Sequence, residues 1–227
     1  MSLDRIRLAS LHDKVMNAEQ AAAFIQDGMT VGMSGFTRAG EAKAVPLALV
    51  KRAKADPLKI TLITGASLGN DLDKQLTEAG VLARRLPFQV DNTLRKAINK
   101  GEVMFIDQHL SETVEQMRNK QLKKPDIAVI EAVAITEDGG IIPTTSVGNS
   151  ASFAIFAEKV IVEINTNLSP AFEGLHDIYI PSYRPTRQPI PLTEVDERIG
   201  TQAINIDPSK IVGIVINSEF HDSPSTV

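Results

Sequence analysis

The sequence predicts an α/β fold, an open and mostly parallel sheet with helices on both faces. Short, nearly continuous Ile and Val runs recur along the chain, and segments with helical spacing of apolar residues separate them. Glycine- and hydroxyl-rich stretches sit where strand gives way to helix. A strand buried on both faces loses the in-out alternation of a half-exposed one, and strands that alternate with helices build parallel sheets. In chain order, residues 29–33, 59–64, 103–106, 126–135, 159–165 and 210–217 read as strands. Residues 17–26, 43–55, 71–79, 91–99, 111–120 and 150–158 carry the helical period, and Asn17 with Gln20 forms a capping box at the first of these. The rhythm breaks over 169–191, where Pro170, Pro181, Pro185, Pro189 and Pro191 disfavour regular elements. This segment is expected to be a long ordered excursion within a single domain spanning 1–227. The polar stretch 218–227, which follows the last apolar run and contains Asp222-Ser223-Pro224-Ser225, has the look of an interdomain linker.

Composition narrows the function classes. The chain has 227 residues, 43% of them hydrophobic, enough to bury a large core. With 24 basic and 28 acidic residues it offers no cationic surface suited to nucleic acid or anionic membrane. The absence of cysteine removes disulfides, thiolate metal sites and Cys nucleophiles, and fits a reducing cytoplasm. Neither a signal peptide nor an apolar run of the roughly 20 residues that a membrane helix needs is visible. The expectation is a soluble cytoplasmic protein with small-molecule partners.

The first motif is Ser34-Gly35-Phe36-Thr37-Arg38-Ala39-Gly40, between the 29–33 strand and the helix that follows. That is where open α/β sheets bind ligands, and backbone N–H groups there can hold an anion. Gly35 and Gly40 have P-loop spacing, but Glu41 and Ala42 stand where Lys and Ser/Thr would meet phosphate and magnesium. The dinucleotide fingerprint fails too, because Gly32, Gly35 and Gly40 are wrongly spaced. A tight turn without ligand remains the bland reading. Two similar loops follow: Thr64-Gly65-Ala66-Ser67-Leu68-Gly69-Asn70, and Thr144-Thr145-Ser146-Val147-Gly148-Asn149-Ser150. Each alone is more often a simple turn and N-cap. Together they could line one crevice with hydroxyl and amide donors suited to a carboxylate or an acyl-carrier arm.

Residues for proton chemistry are sparse. His109 lies near Asp107 and His176 beside Asp177, either of which could orient an imidazole, though structural histidines at loop edges are commoner. No serine sits in a nucleophile elbow, and the four histidines have no metal spacing. Glu131 interrupts a buried-looking strand and therefore requires a partner, for which a structural ion pair is the favoured reading.

The three loops, together with Ala134-Ile135-Thr136-Glu137-Asp138-Gly139-Gly140, Asp107-x-His109-Leu110 and His176-Asp177-Ile178, resemble the N-terminal half of the acetyl-CoA hydrolase/transferase family. The resemblance runs over essentially the whole chain and is strongest to the succinyl-CoA:acetate and propionyl-CoA:succinate CoA-transferases. It implies a class I CoA-transferase architecture of two similar α/β halves with the active site between them. A glutamate of the C-terminal half attacks the acyl-CoA thioester, giving an acyl-glutamyl anhydride and then a glutamyl-CoA thioester that a second carboxylate resolves. This sequence has no counterpart of that glutamate's segment, so by resemblance neither Glu131 nor Glu41 is the nucleophile. The half in hand is expected to form the wall that receives the carboxylic substrate. Gly35, Phe36, Thr37, Gly40 and Ser67 are the leading candidates, followed by Ser146, Gly148 and Asn149.

No permanently bound cofactor or metal is expected, and coenzyme A enters as a thioester substrate. Small carboxylic acids, acyl-CoA, the C-terminal domain of the same enzyme and a second copy in a homodimer are the expected partners. The first loop ends Gly40-Glu41-Ala42-Lys43 where the family more often has Gly-x-Pro-Lys, and Arg38 takes a position often smaller. That cation could favour a dicarboxylate such as succinate, or be solvated surface. Two alternatives to a transferase stand beside it: an acyl-CoA thioester hydrolase, and a non-catalytic carboxylate-binding or assembly subunit.

Overall fold

A computed structural model describes residues 3–69, 71–192 and 194–220. Asn70 of the second loop and most of the linker-like end, 221–227, lie outside the described residues. The strands are β1 (Thr30–Met33), β2 (Ile60–Thr64), β3 (Leu82–Leu86), β4 (Met104–Phe105), β5 (Ile127–Ile135), β6 (Ile141–Pro143), β7 (Lys159–Asn165) and β8 (Ile211–Asn217). The helices are α1 (Ala18–Ala22), α2 (Ala44–Ala55), α3 (Leu72–Glu78), α4 (Asn92–Asn99), α5 (Leu110–Arg118) and α6 (Ser150–Phe156). The strands form one sheet in the order β4-β3-β2-β1-β5-β7-β8. Every neighbouring pair along it is parallel. β6 is the exception and pairs antiparallel with β5.

Alternate side chains of the same strands feed two cores. Val31, Ile60, Leu62 and Val129 join Leu49 of α2, Leu72 and Leu76 of α3 and Leu94 of α4. Ile63, Ala128, Ile130, Val160 and Val162 instead meet Met117 of α5 and Phe153 of α6. Helices therefore cover both faces, as the apolar runs require. Gly32 of β1 is fixed by that packing, since a Cβ there would lie 2.9 Å from Cγ of Phe153.

All six predicted helices and all six predicted strands form, and the Asn17–Gln20 capping box is present with both reciprocal hydrogen bonds. The differences have local causes. α1 stops at Ala22 because Phe24 and Ile25 donate to the carbonyls of Ala21 and Ala22, tightening the last turn, before Gly28 adopts φ 76°. Two strands escaped the pattern. β3, Leu-Ala-Arg-Arg-Leu, is interrupted by adjacent arginines, and β6 is only three residues long and ends in proline. The 169–191 excursion holds little regular structure beyond a turn of 3-10 helix at Pro170–Phe172. Beside α6, the amine of Lys210 donates to the carbonyls of Ala154 and Ile155 at 2.8 Å, and burial pushes its pKa down.

The chain order reverses at β1. The path β1-β2-β3-β4 runs one way and β5-β7-β8 the other, so the connections leaving β1 and β5 part at the carboxyl edge, the switch point at which open α/β sheets bind ligands.

Candidate functional site

The first loop is a tight hairpin at that switch point. Phe36 and Ala39 exchange backbone hydrogen bonds of 2.8 and 3.1 Å, and the two residues between them, Thr37 (φ 49°) and Arg38 (φ 71°), are both left-handed. Two central residues at positive φ give the mirror-image tight turn, which asparagine and glycine ordinarily supply. A β-branched threonine there is strained. Arg38 and Phe36 project into solvent at the tip, Phe36 with 46% of its surface exposed. The hairpin is tied down at its base, where Ser34 Oγ donates to the Gly40 carbonyl at 2.9 Å and accepts from the Glu131 N–H at 2.9 Å.

The three loops meet. A Cβ on Gly65 would sit 2.5 Å from the Gly35 carbonyl oxygen and 3.7 Å from the Asn149 nitrogen. A Cβ on Gly148 would lie 3.6 Å from the same Gly35 oxygen and 3.7 Å from Phe36 Cβ. On the other side of the hairpin, Ser146 Oγ donates to the Ala39 carbonyl at 2.7 Å, and a Cβ on Gly40 would lie 2.6 Å from that hydroxyl. The fold thus brings together Gly35, Phe36, Gly40, Gly148 and Asn149, with Thr37 at the turn tip. Ser146 fastens one loop to another, and Ser67 lies buried in the second loop. Three side-chain atoms in these loops, Ser67 Oγ, Asn149 Nδ2 and Ser150 Oγ, are buried without a hydrogen-bond partner among the described residues. Buried polar groups are nearly always paired, so these three are exceptions to the rule.

The second loop owes its shape to Arg85, which is fully buried. Its guanidinium bonds the Asp73 carboxylate at 2.8 and 3.2 Å, the Leu86 carbonyl at 2.7 Å and the Ala66 carbonyl at 2.9 Å. Asp73 in turn accepts from the Leu68 N–H at 3.0 Å, so the pair grips both sides of Ser67. Beneath the first loop lies a second charged cluster. Lys43 Nζ contacts Glu131 Oε2 at 2.5 Å and donates to the Glu41 carbonyl at 2.6 Å. Thr144 Oγ1 donates to the other Glu131 oxygen at 2.7 Å. Glu163, the register neighbour of Glu131 in β7, accepts from the N–H groups of Lys43, Ala44 and Val45 at 2.9, 2.9 and 3.1 Å, capping α2 from across the sheet. The expected ion pair of Glu131 is present. Glu41 is likewise buried, its Cβ folded beneath Gly35.

His109 and His176 make local contacts. His109 Nδ1 accepts from the Ser111 N–H at 3.3 Å and caps α5. His176 Nε2 is 3.0 Å from the Pro143 carbonyl, while Asp177 accepts from the N–H groups of Ile199 and Gly200. Neither aspartate orients an imidazole through any hydrogen bond among the described residues. These residues also contain no cluster of three or more His, Cys, Asp or Glu able to hold a metal. Sequence reasoning missed Arg85, Asp73 and Glu163. Their signal was charge inside apolar strands and helices, which says that a partner exists without saying which.

A family model, the acetyl-CoA hydrolase/transferase N-terminal domain, matches residues 2–216. The chain belongs to this family. Among curated relatives it is 44% identical to succinyl-CoA:acetate CoA-transferase of Clostridium kluyveri over 225 residues, covering 98% of this chain and 42% of that protein. It is 40% identical to propanoyl-CoA:succinate CoA transferase of Escherichia coli, covering 88% and 42%. An acetyl-CoA hydrolase of Kluyveromyces lactis is also 40% identical, with coverage of 95% and 43%. The chain therefore spans less than half the length of these family members. Solved structures show the same fold. RipA from Yersinia pestis superposes with a TM-score of 0.64 at 17% identity, over 92% of this chain and 44% of RipA. Glutaconate coenzyme A-transferase from Acidaminococcus fermentans gives 0.58 at 16% identity, over 90% and 76%. No helix among the described residues is long and apolar enough to cross a membrane.

Proposed function

We propose that the chain is the N-terminal half of a CoA-transferase that moves CoA between an acyl-CoA and a small carboxylic acid of the acetate, succinate or propionate class. The observation that carries this reading is the junction of three loops at the reversal of the sheet, where Ser67 Oγ, Asn149 Nδ2 and Ser150 Oγ are buried and unpaired among the described residues, beside close-approaching glycine backbone. Hydroxyl and amide donors in a desolvated pocket are what a carboxylate needs. Gly35, Phe36, Thr37, Gly40, Ser67, Ser146, Gly148 and Asn149 make up this wall, with Ser146 holding the hairpin in place.

The nucleophile is a glutamate of the C-terminal half. Its carboxylate adds to the thioester carbonyl and expels CoA thiolate, leaving an acyl-glutamyl anhydride. The thiolate returns to the glutamyl carbonyl and releases the donor acid, and the acceptor carboxylate then reverses both steps with its own acyl group. This chemistry calls for no resident metal or cofactor. The setting is the cytoplasm, and the working assembly is a homodimer of the complete protein.

Hydrolysis is the second reading, favoured by the acetyl-CoA hydrolases among the 40% identical relatives. One experiment separates the readings: acyl-CoA turnover by the purified chain, alone and mixed with the C-terminal half from the same genome, with acetate or succinate present and absent. Turnover in the mixture only, and only with an acceptor acid, is the expected result. Turnover without acceptor indicates a hydrolase, and turnover by the chain alone overturns the placement of the nucleophile.

A further inference from the structure

Toward the amino ends of the strands, away from the three loops, the sheet carries a row of polar residues that the proposed chemistry does not use. Thr30 of β1 is the register partner of Thr61 in β2, Thr61 of Arg84 in β3, and Arg84 of Met104 in β4. Register partners on parallel strands present their side chains to the same face, on strands about 4.8 Å apart. Two hydroxyls and a guanidinium therefore stand side by side. The next register pair on that face, Ile63 and Leu86, is buried in the apolar core. Against this row lies a cavity of about 160 Å³, whose lining includes Thr30, Thr61, Arg84, Leu86, Leu122 and Lys123.

The charges around the cavity do not cancel. Lys123 Nζ meets Asp126 Oδ2 at 2.7 Å, and the same oxygen accepts from the Thr30 N–H at 2.7 Å, so that carboxylate is neutralised and tied to the backbone. Arg84 has no such partner. Its Nε donates to the Met104 sulfur, a weak acceptor, at 3.2 Å, and no carboxylate pairs with it among the described residues. The Thr30 and Thr61 hydroxyls likewise make no hydrogen bond among the described residues, although Thr30 is only 4% exposed. An uncompensated guanidinium beside two unused hydroxyls is a donor set for an oxyanion, and the planar fork of arginine matches two oxygens of one ion. The volume is about half the lower limit for cavities that hold drug-sized ligands, which limits the occupant to a small ion.

We infer that this cavity is a binding site for inorganic phosphate, held by Arg84 with the Thr30 and Thr61 hydroxyls. The inference does not depend on the CoA-transferase reading. Arg84 is followed in β3 by Arg85, whose guanidinium holds the Ala66 carbonyl of the second loop. The ion therefore sits one residue away from the side chain that shapes the loop bearing Ser67.

The test is a titration of the 227-residue chain with sodium phosphate and, separately, with sodium chloride at equal ionic strength, following the Arg84 Nε–H and the Thr61 backbone amide by ¹⁵N NMR. Phosphate is expected to shift both resonances to saturation, and chloride to saturate neither. Arg84→Gln removes the charge and the fork and is expected to weaken phosphate binding about tenfold. Thr61→Val keeps the branched shape without the hydroxyl and is expected to weaken it about threefold. Unchanged amide shifts in the three loops check that Arg84→Gln is folded, and Thr61→Val carries the test if it is not. Lys54→Gln, exposed on α2, should bind as the parent chain does. If phosphate moves the Arg84 resonance no more than chloride does, or if the folded Arg84 and Thr61 variants bind as tightly as the parent, the cavity is solvated surface and the site is wrong. O-phosphoserine separates a free ion from a phosphate carried on a larger molecule. It is expected to bind more weakly than phosphate, and tighter binding overturns the assignment to the free ion.

Discussion

Lys43, Glu131 and Glu163 lie beneath the first loop, and Ser67, Asn149 and Ser150 lie in the two loops beside it; both sets are polar and buried. The first set is closed. Lys43 meets Glu131, Thr144 and Asn165 complete that carboxylate, and Glu163 takes up the first N–H groups of α2 together with the Asn217 amide. The second set is open, with a buried side-chain atom left unpaired on each residue. A satisfied buried network rigidifies its surroundings, whereas an unsatisfied one costs stability unless a ligand completes it. The floor therefore holds the loops in position, and the rim is the part that the proposed function assigns to the substrate.

That contrast can be broken by mutation. Lys43→Met leaves Glu131 buried without its cation and should cost about 3–5 kcal/mol in urea denaturation, the usual result of removing one partner from a buried pair. A loss under about 1 kcal/mol, far below that range, would mean the floor is not a closed network. Gly65→Ala drives a methyl to 2.5 Å from the Gly35 carbonyl and should cost about 1–3 kcal/mol, with shifted backbone amides in all three loops. Unchanged amide shifts would show that the loops do not pack as closely as the geometry requires. Ser67→Ala should change stability by no more than about 0.5 kcal/mol, because the hydroxyl it removes bonds nothing among the described residues. Its effect should appear in function, as a KM for the acceptor acid raised about tenfold in the two-half assay, by loss of one hydrogen bond to a carboxylate. A large loss of stability with unchanged KM would place Ser67 in the floor and not the rim.

The histidines and the glycines make the limits of sequence reading concrete. His109 and His176 had aspartates nearby in sequence, yet their ring nitrogens face Ser111 and the Pro143 carbonyl. Adjacency along the chain says little about which atom an imidazole meets. The glycine loops were legible because positive φ and close approach leave few residue choices, and Gly35 and Gly40 have φ of 123° and 69°. Arg85 was not. Nothing in Leu-Ala-Arg-Arg-Leu separates a solvent-exposed arginine from a buried one clamped to Asp73, twelve residues earlier.

By itself the sequence determined the α/β class, twelve of the fourteen helices and strands, the capping box and the three loops that follow strands, because apolar period, turn chemistry and caps are properties of neighbouring residues. The tertiary structure alone decided that those loops converge on the Gly35 carbonyl, that Arg85 shapes the loop bearing Ser67, and that Glu163 caps a helix 120 residues away in sequence. The physical reason is that a buried charge or an unpaired donor is defined by what lies across space from it, and strand order, which sets those neighbours, is not written in any local period.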